Sequence, residues 1–147
     1  MNEIILYTIG SGGKSACQFF TILKKTGVRT IIDVRLKNTS HLAGFTKKQD
    51  LPFFLEEICG AGYLHIPLLA PTEEILHRYK KEKGSWEDYV SAFNNLLEQR
   101  RAETLLSREQ LDHACLLCSE PFPDRCHRRL VAEFLGLKMP PVRICHL

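Results

Sequence analysis

Short apolar runs alternate with amphipathic stretches along this chain, and the alternation predicts strands interleaved with helices. Ile4 to Ile9 is a β-rich apolar run that stops at Gly10-Ser-Gly-Gly13, the pattern of a buried strand followed by a tight turn. From about Lys14 to Thr26, residues Phe19, Phe20, Ile22 and Leu23 fall on one helical side, and Gly27 ends that helix. Val28 to Val34 is a second apolar strand that closes on Asp33-Val-Arg35. Strand, helix, strand in this length is a βαβ unit, for which a right-handed crossover is expected.

The stretch from Leu36 to Gly44 is polar and turn-rich, which predicts a mobile loop over the sheet edge. Thr46-Lys-Lys-Gln49 has the form of a capping box for a helix reaching about Cys59, with Gly60-Ala-Gly62 as its stop. Tyr63 to Pro67 reads as a third strand. Thr72 can cap a helix whose first residues, Glu73 and Glu74, suit the positive end of its dipole. Ser85-Trp-Glu-Asp88 opens the clearest helix, in which Trp86, Tyr89, Val90, Phe93, Leu96 and Leu97 follow core-facing spacing. Leu116 to Cys118 lies in a fourth strand. Leu130, Val131, Phe134 and Leu135 form one helical stripe that Gly136 should end, and Val142 to Cys145 is a last edge strand after two prolines. The expected fold is α/β, a single domain over residues 1–147, with a mostly parallel sheet of four or five strands and helices on both faces.

Composition fits that picture. Hydrophobic content of 44% and charged content of 25% are globular values and argue against a disordered chain. The net charge of +3 is too mild to imply nucleic acid or membrane as a partner, and the Lys24-Lys25, Lys47-Lys48 and Lys80-Lys81 pairs read as solvated faces. No charged start followed by a long apolar stretch is present, so neither a signal peptide nor a transmembrane helix is expected. The six cysteines then read as reduced thiols of a cytoplasmic protein rather than as disulfides.

In an open α/β sheet, ligands bind beyond the carboxyl ends of the strands. Three unusual segments fall there: Gly10-Ser-Gly-Gly13, Asp33-Val-Arg35, and Cys118-Ser-Glu120. A helix that opens on Cys126-His127-Arg128 comes to the same edge, with free N–H groups and a positive dipole end suited to an anion or a thiolate. Cys118, Glu120, Cys126 and His127 are therefore the candidate catalytic groups. Gly10, Ser11, Asp33, Arg35 and Arg128 are the candidate ligand-binding groups, although Asp33 and Arg35 suit a structural ion pair equally well. Cys126 is the expected thiolate, because the helix N-terminus and Arg128 both lower a thiol pKa. Glu120 or His127 would serve as acid or base, and Arg35 with Arg128 would hold an anion.

Near-misses narrow the chemistry. A P-loop ending at Gly13-Lys14-Ser15 would need glycine where Thr8 stands. Cys115 and Cys118 have zinc-knuckle spacing, but on a strand residues three apart face opposite sides. A phosphatase-type Cys-x5-Arg loop is absent, since Cys118 meets Asp124 and Cys126 meets Ala132. A metal set of Cys118, Cys126 and His127 requires the intervening loop to fold back. The sequence assigns no cofactor.

The ordered set Tyr7-Thr-Ile-Gly10, Ile32-Asp-Val-Arg35, Gly62-Tyr63 and Leu117-Cys118-Ser-Glu120 with Cys126-His127-Arg128 resembles the DUF488 family, small prokaryotic proteins of unassigned activity. The resemblance implies a compact α/β domain and makes Asp33, Arg35, Cys118, Glu120, Cys126, His127 and Arg128 signature positions. It supplies no reaction. Relatives often carry Gly-His-Ser after the first strand where this chain has Gly10-Ser11-Gly12, so any role of that histidine is lost or moved. A weaker likeness is to rhodanese-like domains, with Cys118 as sulfur carrier; Glu120, Pro121 and Pro123 fit a donor-rich cradle badly. Three readings result: an enzyme acting on a small anionic or nucleotide-like ligand, a metal or ligand sensor built on Cys118, Cys126 and His127, and a nucleic-acid-binding module.

Overall fold

Five of the apolar runs become strands of one parallel sheet in the computed structural model, which describes residues 2–147. The strands are β1 (Ile4–Gly10), β2 (Thr30–Asp33), β3 (Gly62–His65), β4 (Ala114–Cys118) and β5 (Val142–His146), in the spatial order β3-β2-β4-β1-β5. Six helices connect them: α1 (Ala16–Thr26), α2 (Leu51–Phe54), α3 (Glu73–Lys80), α4 (Trp86–Gln99), α5 (Arg108–Leu111) and α6 (His127–Lys138). The chain is a single α/β domain. β4 lies between β1 and β2, so the first strand–helix–strand unit straddles a later strand instead of pairing its own two.

The period-two alternation of the strands sorts their side chains into two cores. Tyr7, Ile9, Ile31, Cys115 and Leu117 pack beneath Phe19, Phe20 and Leu23 of α1. Leu6, Ile32 and Leu116 face the other way, onto Phe93 and Leu97 of α4 and Leu130, Val131 and Leu135 of α6. Both faces of the sheet are thus covered, as a parallel sheet requires. No described helix is long and apolar enough to cross a membrane.

Several local expectations hold. Gly27 closes α1 at φ 80 in the left-handed region, and the helix opens on a capping box of Ser15 with Gln18 that the apolar pattern does not announce. Thr72 caps α3 and Ser85 caps α4. Others fail for identifiable reasons. Thr46 caps nothing: its hydroxyl donates to Ala43 O and accepts from Arg35 Nη1, so α2 starts only after Asp50 and passes into a π-type turn over Leu55–Cys59. Gly136 lies inside α6, which runs on to Lys138; a side chain there would only touch Ile144 and Val142 at ordinary contact distance. The segment after β2 is pinned rather than free, because Asn38 and Thr46 are buried and bonded to Asp33 and Arg35.

Candidate functional site

Cys118 is the last residue of the central strand β4, directly opposite Gly10 on β1 and one step beyond the Leu117–Asp33 pair with β2. The chain then turns through Pro121 and Pro123 and enters α6 with Cys126 as its N-cap. This return places the two thiols in contact: Cys126 Sγ donates to Cys118 Sγ at 3.0 Å. His127, in the first turn of α6, brings Nδ1 to 3.8 Å from Cys118 Sγ and Nε2 to 2.6 Å from the carbonyl oxygen of Val34. A carbonyl only accepts, so Nε2 carries a hydrogen and the proton between Nδ1 and Cys118 is the one free to move.

These contacts separate the two thiols electrostatically. The hydrogen bond from Cys126 holds Cys118 well below the usual thiol range despite its burial, aided by the charge and hydrogen bond of His127 and by the Glu120 N–H. Cys126 is pushed the other way, first because its proton is committed to Cys118, then by burial and by the neighbouring thiolate. The Arg128 backbone N–H and guanidinium do pull Cys126 down, as expected of a helix start, but more weakly. Burial lowers His127, and the Cys118 charge, its hydrogen bond and the Val34 carbonyl outweigh that and raise it. The arrangement favours a Cys118 thiolate beside a His127 imidazolium. Against the expectation that the helix start places the charge on Cys126, the hydrogen bond from Cys126 favours Cys118.

A cavity of about 680 Å³ opens over this pair. Its floor includes Cys118, Glu120, Cys126 and His127, and α3 supplies His77, Tyr79 and Lys80 across from them. α3 buries no side chain completely and rests on α4 through Tyr79, whose ring lies 5.0 Å from that of Tyr89. Lys80 Nζ meets Glu120 Oε1 at 2.8 Å, tying α3 to the loop after β4. Among the described residues, Lys81 and Arg125 line the cavity without an ion pair, which leaves cationic groups for an anionic guest.

Asp33 and Arg35 form a fully buried bidentate pair, with Nε to Oδ1 and Nη2 to Oδ2 both at 2.8 Å. Arg35 also donates to Thr46 Oγ1 and Thr46 O. Asp33 accepts further from Asn38 and from the Tyr63 hydroxyl at 2.6 Å. Burial alone would raise Asp33; the hydrogen bonds and charge of Arg35, with Tyr63 and Asn38, hold it below its usual range. Arg35 borders the cavity, but its donors point inward. Its effect on the site runs through the backbone, since it anchors the turn whose Val34 carbonyl orients His127.

Gly10, Ser11 and Arg128 lie behind the thiols, outside the cavity lining. Ser11 N donates to Cys118 O and Gly12 N to Ser119 O, which extends the β1–β4 ladder into the loop. Arg128 is fully buried, donating from Nη1 to Glu120 O at 2.7 Å and from Nε to Thr8 Oγ1 at 3.4 Å, while Nη2 has no partner among the described residues. The structure therefore gathers Cys118, Glu120, Cys126 and His127 around one cavity and sets Gly10, Ser11, Asp33, Arg35 and Arg128 as the frame or border. Lys80 reads from sequence as solvated, Tyr89 as core, Thr46 as a helix cap and Tyr63 only as part of the family resemblance, while Arg125 and Asn38 carry no local signal. Only the packing of α3 and of the segment after β2 reveals them.

The Sγ atoms of Cys118 and Cys126 and a ring nitrogen of His127 lie within 4.8 Å of one another, so these donors could also hold a metal ion. Two thiolates and an imidazole suit zinc, and the second ring nitrogen bonded to a backbone carbonyl is the usual support of a ligating histidine.

No curated protein and no solved structure matches the chain, and nothing supports the rhodanese-like comparison. Residues 15–135 match the family described as "Domain of unknown function DUF488". That span includes every cavity residue named above and begins after β1, so Tyr7 to Gly10 fall outside it. The chain belongs to the DUF488 family.

Proposed function

We propose that this protein is a cytoplasmic enzyme in which the Cys118 thiolate attacks an electrophilic centre of a small anionic, nucleotide-like molecule. The observation that carries this reading is the hydrogen bond from Cys126 Sγ to Cys118 Sγ, with His127 on the same sulfur. A thiolate held in this way is formed below the usual thiol range and keeps a proton donor beside it. His127 supplies the proton that a leaving group needs, and its Nε2 contact with Val34 fixes the ring for that transfer. Lys80, Lys81 and Arg125 draw an anion into the cavity, and Tyr79 with Tyr89 offers flat apolar surface for a base or similar ring. Glu120 keeps Lys80 in place. Six free thiols suit a reducing compartment.

The test is alkylation of the folded, reduced protein with iodoacetamide at pH 6 to 7, read by peptide mapping. Cys118 should react first although the Cys17 and Cys145 thiols are far more exposed. Labelling that follows exposure, with Cys17 and Cys145 ahead, would refute the proposal.

A second reading takes the same three residues as a metal centre, favoured by the 4.8 Å clustering of their donor atoms. Stoichiometric zinc in untagged protein, lost on Cys126→Ser, would establish it; metal-free protein with a fast Cys118 would leave the thiolate reading alone.

A further inference from the structure

Two thiols in contact, next to an open cavity, differ from the other four cysteines of the chain. Cys17 and Cys145 are exposed, Cys59 bonds to the Phe20 carbonyl, and Cys115 faces the opposite side of the sheet in an apolar core. Among the described residues, only Cys118 and Cys126 place sulfur against sulfur. Both are nearly buried, at 4% and 2% exposure, yet both border the cavity, which gives a small solute a route to them.

We propose that Cys118 and Cys126 are a reversible modification site for hydroperoxides, in which Cys126 resolves the sulfenic acid formed on Cys118 and locks the nucleophile into a disulfide. The proposal rests on Cys118 being the nucleophile of the reading above, and adds an oxidant class and a control step to it. In the first step the Cys118 sulfur attacks one oxygen of hydrogen peroxide. The S–O bond forms, the O–O bond breaks, and sulfur loses two electrons. The departing hydroxide takes the His127 proton and leaves as water. In the second step Cys126 Sγ attacks Cys118 Sγ, the S–S bond forms, and the S–O bond breaks. The hydroxyl leaves as a second water, carrying the Cys126 proton. Two thiols and one peroxide thus give one disulfide and two waters. Two equivalents of a small thiol reverse the change and are themselves joined as a disulfide.

The geometry favours the second step. The sulfurs must close from 3.0 Å to about 2.05 Å, an advance of roughly 1 Å. Cys126 stands at the N-cap, with extended backbone at φ −131 and ψ 139; its carbonyl accepts from Arg129 N–H in the first turn and its N–H donates to Pro123 O. The advance therefore falls at a helix boundary, where it disrupts no interior turn.

The experiment treats reduced full-length protein with one equivalent of hydrogen peroxide, then alkylates under denaturing conditions and maps the peptides. The expected result is loss of two of the six alkylatable thiols, one Cys118–Cys126 cross-link, and recovery of both thiols with dithiothreitol. In Cys126→Ser, Cys118 should instead be trapped by dimedone as the sulfenic acid. Retention of both thiols, a cross-link between other cysteines, or direct passage of wild-type Cys118 to sulfinic acid would each overturn the proposal. A parallel iodoacetamide reaction without peroxide separates the two claims. A fast Cys118 that never cross-links removes this inference and keeps the nucleophile, whereas a Cys118 slower than Cys17 removes both.

Discussion

Gly10→Ala should be among the most damaging small substitutions in the chain, and its cost can be worked out from contacts. A Cβ at Gly10 would sit 1.8 Å from the Glu120 carbonyl oxygen and 2.9 Å from both Glu120 C and Arg128 Nη1. The carbonyl would have to retreat by about 1.2 Å to reach the 3.0 Å that side-chain carbons tolerate. It cannot do so alone, because it accepts the 2.7 Å hydrogen bond from buried Arg128. Forcing a methyl group into a packed site costs about 1–3 kcal/mol. Loss of a hydrogen bond from a buried charged group adds about 1.5–3 kcal/mol. The guanidinium would be left with a 3.4 Å contact to Thr8 and an already unpartnered Nη2. Together these give about 2.5–6 kcal/mol, a large share of a typical total of about 5–15 kcal/mol. Urea unfolding at pH 7 measures it, with an unchanged slope and a lowered midpoint. Gly27→Ala is the internal control: it sits at φ 80 with no atom within 4 Å, so it carries only backbone strain of about 1 kcal/mol. A Gly10→Ala protein within about 0.5 kcal/mol of wild type, or more stable than Gly27→Ala, would refute the reasoning.

Other outcomes follow from the same contacts. Asp33→Asn strands the buried Arg35 charge and should cost about 3–5 kcal/mol by urea unfolding. The Asp33 pKa is lowered in the fold, so its contribution is complete above the ordinary value of 3.8 and disappears as pH falls through the folded value. Asp33→Asn should therefore flatten the acid limb of a stability-against-pH curve, and an unchanged acid limb would count against the pairing. His127 is raised, so its contribution is complete below 6.5 and is lost as pH climbs through its folded value. His127→Gln should remove that decline, measured as the urea midpoint between pH 6 and 10. Lys80→Met breaks a half-exposed ion pair and should change stability by less than about 1 kcal/mol. The same variant should weaken pyrophosphate binding in low-salt calorimetry if α3 supplies the anion contacts, and equal affinity would remove Lys80 from that role.

The strands and most helices were legible because each carries its own period and stop signal. Thr72 and Ser85 announce their helices at the residue before the first turn. Thr46 announces one falsely, since a hydroxyl that could cap a helix is drawn away by Arg35, a residue eleven positions back. The edge where the chemistry gathers was also legible, because Cys118 ends a strand and Cys126 starts a helix in any α/β reading. Which sulfur carries the charge was not. That depends on a 3.0 Å contact set by how the proline-containing loop returns, and the local dipole argument for Cys126 loses to it. Lys80 and Tyr89 escaped for a related reason: a lysine pair on a short helix reads as solvent-facing until α3 is seen to lean over the end of β4. Asp33 and Arg35 read as suited equally to a structural ion pair and to a ligand, and they form the pair although β2 ends at Asp33 and Arg35 lies beyond it. Spacing says nothing of Thr46, which turns Arg35 away from the cavity.

The position of β4 in the sheet has a bearing on how the chain is made. β1 ends at Gly10 and β2 at Asp33, but the strand that joins them begins only at Ala114. Until it arrives, both strands hold open backbone edges toward a gap, and those edges are templates for pairing with other chains. The contacts that close the gap span about a hundred residues of sequence, the kind of pairing that slows folding. Cys118 is the tip of that inserting strand, and the helix carrying Cys126 and His127 follows it from the ribosome. The contact of Cys118 with Cys126 and His127 thus forms only in the event that seals the sheet. A chain in which β4 has not yet inserted lacks that contact, so on the proposed reading enhanced reactivity at Cys118 would report that the centre of the molecule has closed.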